Sequence, residues 1–145
     1  MKLNFLIREI KTKEEMISLF PLLKELTPRL KKTEYKQMLS EMLSHGYRMA
    51  GAFDGNKCAG LSGFWISTKI YCGKYVELDN VVVSKNYRSK GIGKLLSEWI
   101  LKEAETLKCK VAMLDAYLEN TAAHNFYERE GFEAKGFHFI KNLDY

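Results

Sequence analysis

A strand, a glycine-containing loop and a helix follow one another in the middle of the chain, and this succession limits the folds that the chain can adopt. The segment YVELDNVVV, residues 75–83, is rich in β-branched residues and predicts a strand. The loop SKNYRSKGIG follows, and apolar residues then recur at helical spacing to about residue 107. Glycine is a poor helix former, so Gly91 and Gly93 at the mouth of this helix indicate a backbone that a ligand approaches closely.

The N-terminus of the predicted helix has the properties of a phosphate-binding site. The first N–H groups of a helix lack intrahelical partners and lie at the positive end of its dipole. The loop reads Arg88, Ser89, Lys90, Gly91, Ile92, Gly93, Lys94. Its three basic side chains would add charge-assisted contacts to a pyrophosphate. The RxxGxG spacing is neither the Walker nor the dinucleotide pattern, and a glycine turn that only packs the helix on a sheet is the alternative.

The pattern along the rest of the chain predicts one mixed α/β domain, residues 1–145. The length suffices for a single core, and the apolar and charged fractions, 46% and 28%, are those of a globular chain. The other expected elements are a strand at 3–10, helices at 13–26 and 33–46, a hairpin turning at Asp54 and Gly55, a strand at 110–118, a helix at 120–130 and one or two closing strands within 132–143. This order predicts a mixed sheet of six to seven strands flanked by about four helices.

Composition and charge argue against several functional classes. The apolar stretch at the N-terminus is short and meets Arg8 and Glu9, so we expect no membrane association and a cytoplasmic location. The three cysteines match neither a disulfide framework nor a metal site, and we expect no metal. The net charge of +5 is interspersed with acidic residues, which does not indicate a nucleic-acid partner.

Two motifs in the sequence resemble those of one enzyme superfamily. RSKGIG resembles motif A of the GNAT superfamily of acetyl-CoA-dependent N-acetyltransferases, whose fingerprint is Q/RxxGxG/A. The preceding segment, VVVSKNYR, resembles the VxPxxR strand ending of that superfamily, with Ser84 where proline is common. NTAAHNFYEREGF resembles the second motif, NxxAxxxYxxxGF, through Asn120, Ala123, Tyr127, Gly131 and Phe132. The resemblance covers nearly the whole chain and favours a small-amine branch, similar to aminoalkylphosphonate or aminoglycoside N-acetyltransferases.

The resemblance implies a cofactor and the residues that bind it. The loop from Arg88 to Lys94 would hold the pyrophosphate of acetyl-CoA. The strand backbone at Val81, Val82 and Val83 would pair with the pantetheine arm as an added strand, where the sheet must splay, and an N–H near Val81 would stabilise the oxyanion. Asn120 and Ala123 belong to the second motif; Asn120 would hold the pantetheine arm, or it could simply cap the last helix.

The reaction needs a base, because a lysine-like amine has a pKa of about 10.4 and its deprotonation at pH 7 costs about 4.6 kcal/mol. Glu77 and Asp79 lie on the strand before the loop. With a period of two, residues 77, 79, 81 and 83 share a face unless a bulge intervenes. Glu77 also matches the glutamate base of several branches by the resemblance, so we expect it to be the base. Asp79 and Asp115 are candidates for substrate contact, and an ordinary paired carboxylate is the alternative for each.

The resemblance places Tyr127 near the thioester sulfur as a general acid. Proton transfer from a phenol of pKa about 10 to a thiolate of pKa about 8.5 is uphill by about 2 kcal/mol, so a hydrogen bond that stabilises the thiolate is the expected role. The alternative is a tyrosine that fills the core. His45, His124 and His138 have no acid at a recognisable spacing and are interpreted as structural or surface residues.

The function expected from these residues is transfer of acetyl from acetyl-CoA to the primary amine of a small molecule, without a covalent enzyme intermediate. Four basic residues could contact an anionic acceptor such as a phosphonate, and solvated helix faces are the alternative explanation for them; they are Arg29, Lys31, Lys32 and Arg48. The three acidic candidates favour a polyamine or an aminoglycoside instead. Acetylation of protein lysines or N-termini, and a non-catalytic module that binds acetyl-CoA, are the alternatives. The sequence leaves a homodimer open.

Overall fold

The computed structural model describes residues 4–143. Its elements are β1 (Leu6–Glu9), α1 (Lys13–Ser18), α2 (Phe20–Leu26), α3 (Lys32–Leu43), β2 (Tyr47–Asp54), β3 (Lys57–Lys69), β4 (Gly73–Val83), α4 (Ile92–Thr106), β5 (Val111–Leu114) and α5 (Thr121–Arg129), with a 3-10 turn at Lys85–Tyr87. The chain divides into two compact units, residues 1–113 and residues 114–145. No helix of the described residues is long and apolar enough to cross a membrane.

The strands form one sheet in the order β1-β2-β3-β4-β5, and successive strands from β1 to β4 pair antiparallel. The predicted hairpin between β2 and β3 turns at Gly55, whose φ of +60° is a left-handed conformation that favours glycine. Tyr47 of β2 lies opposite Trp65 of β3, and Trp65 lies opposite Glu77 of β4. Residues that lie opposite one another point to the same face of a sheet, so these three side chains share a face.

The helices cover both faces of the sheet. Side chains of α1, α2 and α3 pack with apolar side chains of the sheet in one buried cluster, which includes Met16, Leu23, Leu39, Tyr47, Met49, Leu61 and Val82. Helix α4 buries Ile92, Leu96 and Ile100. A Cβ atom on Gly60 would lie 2.9 Å from Cγ2 of Ile92. That Cβ atom would project from the face of the sheet opposite to the face of the next residue, Leu61. Helix α4 therefore packs against the other face.

The helix expected at 13–26 is divided into α1 and α2 at Leu19. Pro21 has no N–H to donate to the preceding turn, and its ring clashes with a continuous helix, so the break accounts for five helices where about four were expected. Thr12 caps α1 as predicted, because its hydroxyl accepts a hydrogen bond from the Glu15 N–H at 3.1 Å. The Glu15 carboxylate pairs with Arg8 of β1 at 2.6 Å, and the Arg8 guanidinium lowers the pKa of that carboxyl.

The prediction of six to seven strands is wrong for the described residues, which contain five. The expected closing strands within 132–143 do not form, and β5 has four residues where nine were expected. A strand requires an edge with which to exchange hydrogen bonds, and alternation of apolar residues in a sequence does not specify that edge. Apolar side chains of the segment, such as Phe137 and Phe139, are exposed.

Candidate active site

Strand β4 contains a bulge in the segment that precedes the glycine loop. Leu61 lies opposite Val82 and Gly63 opposite Asp79, so Ser62 of β3 faces two residues, Asn80 and Val81. Asn80 has a φ of +56°, the left-handed conformation that a G1 bulge places at this position and that asparagine tolerates better than most residues. The bulge therefore interrupts the regular ladder at Asn80 and Val81.

The bulge reverses which residues of β4 face the helices α1 to α3. Glu77 and Asp79 lie on that face before the bulge, and Val82 lies on it afterwards, in the buried cluster. Val83 lies opposite Gly60 and points to the face of α4. The exception that the sequence left open, an intervening bulge, therefore applies: residues 77 and 79 share this face and residue 83 does not, because one inserted residue changes the alternation.

The two carboxylates of β4 lie beside aromatic side chains. The indole N–H of Trp65 donates to Oδ2 of Asp79 at 2.9 Å, which fixes the orientation of that carboxylate. Glu77 lies opposite Trp65, two residues and about 6 to 7 Å along the strand from Asp79. The Tyr47 ring lies 5.0 Å from the Trp65 ring. We call Trp65, Glu77 and Asp79 the β4 acidic cluster.

The bulge is tied to β2 by a buried side chain. Nδ2 of Asn80 donates to the Tyr47 hydroxyl at 3.1 Å, and Tyr47 is 3% exposed. Burial raises the pKa of Tyr47, so its hydroxyl stays neutral. The sequence analysis assigned no role to Asn80 or Tyr47. The available signal was asparagine inside an otherwise β-branched strand, which is unfavourable there and indicates an irregularity.

Part of the β4 edge is open to an added strand. Strand β5 starts beside the beginning of β4, where the Lys110 N–H donates to the Lys74 carbonyl at 2.7 Å. A strand of four residues cannot pair along all eleven residues of β4. Within the described residues, β4 therefore keeps backbone groups that an extended ligand could pair with.

The loop after β4 presents backbone N–H groups and positive charge. The Ser84 N–H donates to Ala59 O at 2.8 Å, and the Tyr87 hydroxyl donates to Asp54 at 2.7 Å, so the loop is tied to β3 and its hairpin. Helix α4 has no side-chain cap; its first hydrogen bond runs from Leu95 N to Gly91 O at 3.1 Å. The N–H groups of the first turn thus point out of the helix end.

Gly91 shapes this helix end. Its φ of +79° is left-handed, and a Cβ atom there would meet no atom within 4 Å. Ser89 is also left-handed, with a φ of +61°. Arg88, Lys90 and Lys94 lie on this turn with exposed side chains, so positive charge and the N–H groups of a helix N-terminus come together in a cationic cradle.

The second unit carries the predicted residues of the last helix. Oδ1 of Asn120 accepts from the Ala123 N–H at 3.1 Å, which is the capping role that the sequence left open for Asn120. Tyr127 lies between the rings of Phe126 and Phe132, with centroids 5.1 and 5.7 Å away. Burial raises the pKa of the Tyr127 hydroxyl above its ordinary value.

Asp115 has a partner that the sequence analysis missed. His138 Nδ1 lies 2.9 Å from Oδ2 of Asp115, and both side chains are about 60% exposed. The two residues are 23 positions apart in the chain, so no local spacing in the sequence indicates the pair. Among the residues that the structure describes, no group of three or more His, Cys, Asp or Glu side chains is arranged to hold a metal ion.

The fold defines a class of protein, an α/β domain in which a bulged strand leads through a basic loop into the N-terminus of a helix. The model of the Acetyltransferase (GNAT) family matches residues 13–132, and the chain belongs to this family. It is accordingly an acyltransferase, and the family uses acetyl-CoA.

Relatives and solved structures agree with this membership. Glucosamine 6-phosphate N-acetyltransferase of Arabidopsis thaliana is 26% identical to this chain, and the match covers 97% of this chain and 98% of the relative. The crystal structure of that enzyme superposes with a TM-score of 0.75, covering 97% of this chain and 99% of the crystallised chain. A Bacillus subtilis subsp. natto protein named probable spermine N(1)-acetyltransferase is 36% identical over 42% of this chain and 41% of its own. AAC(6')-Iy, solved with a bisubstrate analog of coenzyme A and acetylneamine, has a TM-score of 0.84 at 19% identity, covering 97% of this chain and 99% of its own.

Proposed function

We propose that this acyltransferase moves acetyl from acetyl-CoA directly to the primary amine of a small, positively charged molecule. The observation that carries the proposal is the continuous segment from residue 77 to residue 94. It joins two carboxylates, a bulge, an open strand edge and a cationic, uncapped helix end in one stretch of chain. A pantetheine thioester needs this order of groups: phosphate binding at one end and acyl chemistry at the other.

The segment accounts for the binding of acetyl-CoA in two parts. The N–H groups at the start of α4, together with Arg88, Lys90 and Lys94, would hold the pyrophosphate. The β4 backbone from Val81 to Val83 would pair with the amides of the pantetheine arm. The Val81 N–H would donate to the thioester oxygen as charge develops on it, which is an effect worth about 10²- to 10³-fold in rate for one such donor.

Glu77 would take the proton of the acceptor ammonium, so that the neutral amine attacks the thioester carbon. The carbon–nitrogen bond then forms, the carbon–sulfur bond breaks, and coenzyme A leaves as the thiolate. Glu77 would first pass the ammonium proton on to solvent water, so that its carboxylate can accept the second proton, which the nitrogen releases as the amide forms. Tyr127 would stabilise the sulfur anion by a hydrogen bond. Asp79, fixed by the Trp65 indole, would orient the acceptor cation.

The charges around β4 favour a cationic acceptor over an anionic one. The β4 acidic cluster presents two carboxylates beside an indole ring, and both groups attract ammonium ions. Arg48, which the sequence suggested for an anion, points to the opposite face and is paired with Glu9 at 2.8 Å and Glu103 at 2.9 Å. We therefore place the acceptor among polyamines and aminoglycosides, the amine types named for two of the similar proteins.

A thiol-release assay with acetyl-CoA tests the proposal. The panel should contain a polyamine, an aminoglycoside, glucosamine 6-phosphate, an aminoalkylphosphonate and a lysine peptide. We expect turnover with the first two. Turnover confined to the phosphorylated amines would contradict the acceptor class, turnover confined to the peptide would favour a protein acceptor, and acetyl-CoA binding without any turnover would favour a non-catalytic module.

Two carboxylate variants separate the proposed roles of Glu77 and Asp79. Glu77→Gln should lower kcat about a hundredfold, because a general base is lost. Asp79→Asn should mainly raise KM for the acceptor, because it removes a charge that binds. Glu98→Gln, an exposed carboxylate of α4, is the matched control and should change neither. A Glu77→Gln enzyme within about threefold of the parent would show that Glu77 is not the base.

A further inference from the structure

Tyr47 reaches the β4 bulge from two strands away. Its backbone belongs to β2, while Asn80 lies in β4, and the two strand axes are separated by about 9.6 Å. The side chain of Tyr47 spans this distance by passing over β3 at Gly63. A Cβ atom on Gly63 would lie 2.1 Å from the Tyr47 hydroxyl oxygen, so the crossing requires glycine at this position.

The geometry of the bulge depends on groups outside the ladder. Asn80 is held at a φ of +56°, and the left-handed conformation is unfavourable for a residue with a side chain. Asn80 and Val81 both lie opposite Ser62, so regular pairing is interrupted at these two residues. The hydrogen bond at 3.1 Å from Nδ2 of Asn80 to Tyr47, a residue that is 3% exposed, anchors the bulge to the core.

We propose that Tyr47 is a positioning residue for acetyl transfer, which holds Asn80 left-handed and thereby directs the Val81 N–H toward the thioester oxygen. The inference rests on the proposed function, because it assigns the bulge a task in that reaction. Tyr47 touches neither substrate in this account and acts only through Asn80. Gly63 contributes by leaving the space that the tyrosine crosses.

A purely structural role makes a different prediction. Tyr47 also packs its ring in the buried cluster and lies 5.0 Å from the Trp65 ring. If packing were its whole contribution, replacement by phenylalanine would keep the ring and leave the chemical step unchanged. A positioning role and a packing role therefore predict different values of kcat for Tyr47→Phe, a substitution that removes only the hydroxyl.

The first experiment compares Tyr47→Phe with Tyr35→Phe. Tyr35 is a buried tyrosine of the same cluster, 4% exposed, whose hydroxyl donates to Met16 O at 3.3 Å and not to Asn80. We expect Tyr47→Phe to lower kcat at least tenfold with KM for acetyl-CoA within twofold, because the pyrophosphate cradle is untouched. Tyr35→Phe should keep kcat, and thermal melting should show how far each loss of a buried hydrogen bond affects stability.

The second experiment is a double-mutant cycle with Asn80→Gly. Glycine adopts the left-handed conformation without the steric cost and has no side-chain amide. In that background the Tyr47 hydroxyl therefore has no hydrogen bond from residue 80 through which to act. We expect Tyr47→Phe to change kcat less than twofold in Asn80→Gly, a strongly non-additive result. An equal loss in both backgrounds, or Tyr47→Phe within twofold of the parent, would overturn the proposal.

Amide hydrogen exchange separates this inference from the proposed function. If the parent enzyme turns over no acceptor, the proposed function fails, while exchange at the Ser84 N–H, which donates to Ala59 O at 2.8 Å just beyond the bulge, still reports on the bulge. We expect that exchange to be at least tenfold faster in Tyr47→Phe than in the parent and in Tyr35→Phe. Unchanged exchange would show that Tyr47 does not hold the bulge.

Discussion

The hydroxyl of Tyr127 shows how burial alters the chemistry open to a single residue. Burial raises its pKa above the ordinary value of about 10, so proton transfer to a thiolate of pKa about 8.5 is uphill by more than about 2 kcal/mol. The raised pKa also means that the phenol stays predominantly protonated up to about pH 9. A hydrogen bond to the departing thiolate, without transfer of the proton, is the role that fits.

We therefore expect Tyr127→Phe to lower kcat about 10- to 100-fold by the same factor at every pH from 6 to 9. The shape of the pH profile should be unchanged, because the tyrosine stays protonated in this range. The measurement is kcat at saturating substrates across that range for both proteins. An alkaline decline below pH 9 that disappears in Tyr127→Phe would mean that the phenol gives up its proton during turnover.

At the same scale, the sequence could predict residues whose role depends on local spacing. The loop from Arg88 to Lys94 was predicted because its glycines and basic residues act within a few positions of one another. The contact between Tyr47 and Asn80 spans 33 positions, and no pattern in one sequence relates them. Asn120 illustrates both cases. Its capping hydrogen bond joins residues three positions apart and could be predicted from the sequence, whereas a contact between Asn120 and pantetheine depends on where the ligand lies.

Helix α4 combines two requirements at its first turn, and Gly91 meets both. The left-handed φ of +79° favours glycine, and the space where a Cβ atom would project is empty of protein atoms. A side chain there would occupy the position proposed for the pyrophosphate. Gly91→Ala should therefore weaken coenzyme A binding at least tenfold and lower the free energy of unfolding by about 1 to 2 kcal/mol.

Gly55→Ala provides the matched control for this element. Gly55 also has a left-handed φ, of +60°, and open space around a Cβ atom, but it lies in the hairpin between β2 and β3. We expect a similar loss of stability with no change in the dissociation constant, measured by calorimetry and chemical denaturation. Equal weakening of coenzyme A binding in both variants would assign the effect to backbone strain alone.

Elements with local signals were predicted well, and those defined by partners were not. The cap at Thr12, the hairpin at Gly55 and the stop after α3 depend on residues close in sequence. Pro21 carried a local signal for the break between α1 and α2 that the apolar periodicity concealed. The bulge and the extent of β5 follow from pairing between distant strands, which periodicity does not encode.

For the whole molecule, the sequence established the class because the order of strands and helices and two spaced motifs agree. It could not place the charges in space. The net charge of +5 concealed two opposite local fields, a cationic helix end and the β4 acidic cluster on the strand that leads to it. The proposed reaction uses both, because acetyl-CoA is anionic and the expected acceptor is cationic.

Salt should therefore act on the two substrates through different local fields, and this can be measured. The Debye length falls from about 10 Å at 0.1 M to about 3 Å at 1 M, so KM for acetyl-CoA should rise severalfold over that range. Lys94→Gln should flatten this dependence, because it removes a charge at the start of α4. Lys102→Gln makes the same change in net charge about 12 Å further along the helix and should leave the dependence as in the parent. Equal flattening by both substitutions would mean that the overall charge, rather than the helix end, attracts acetyl-CoA.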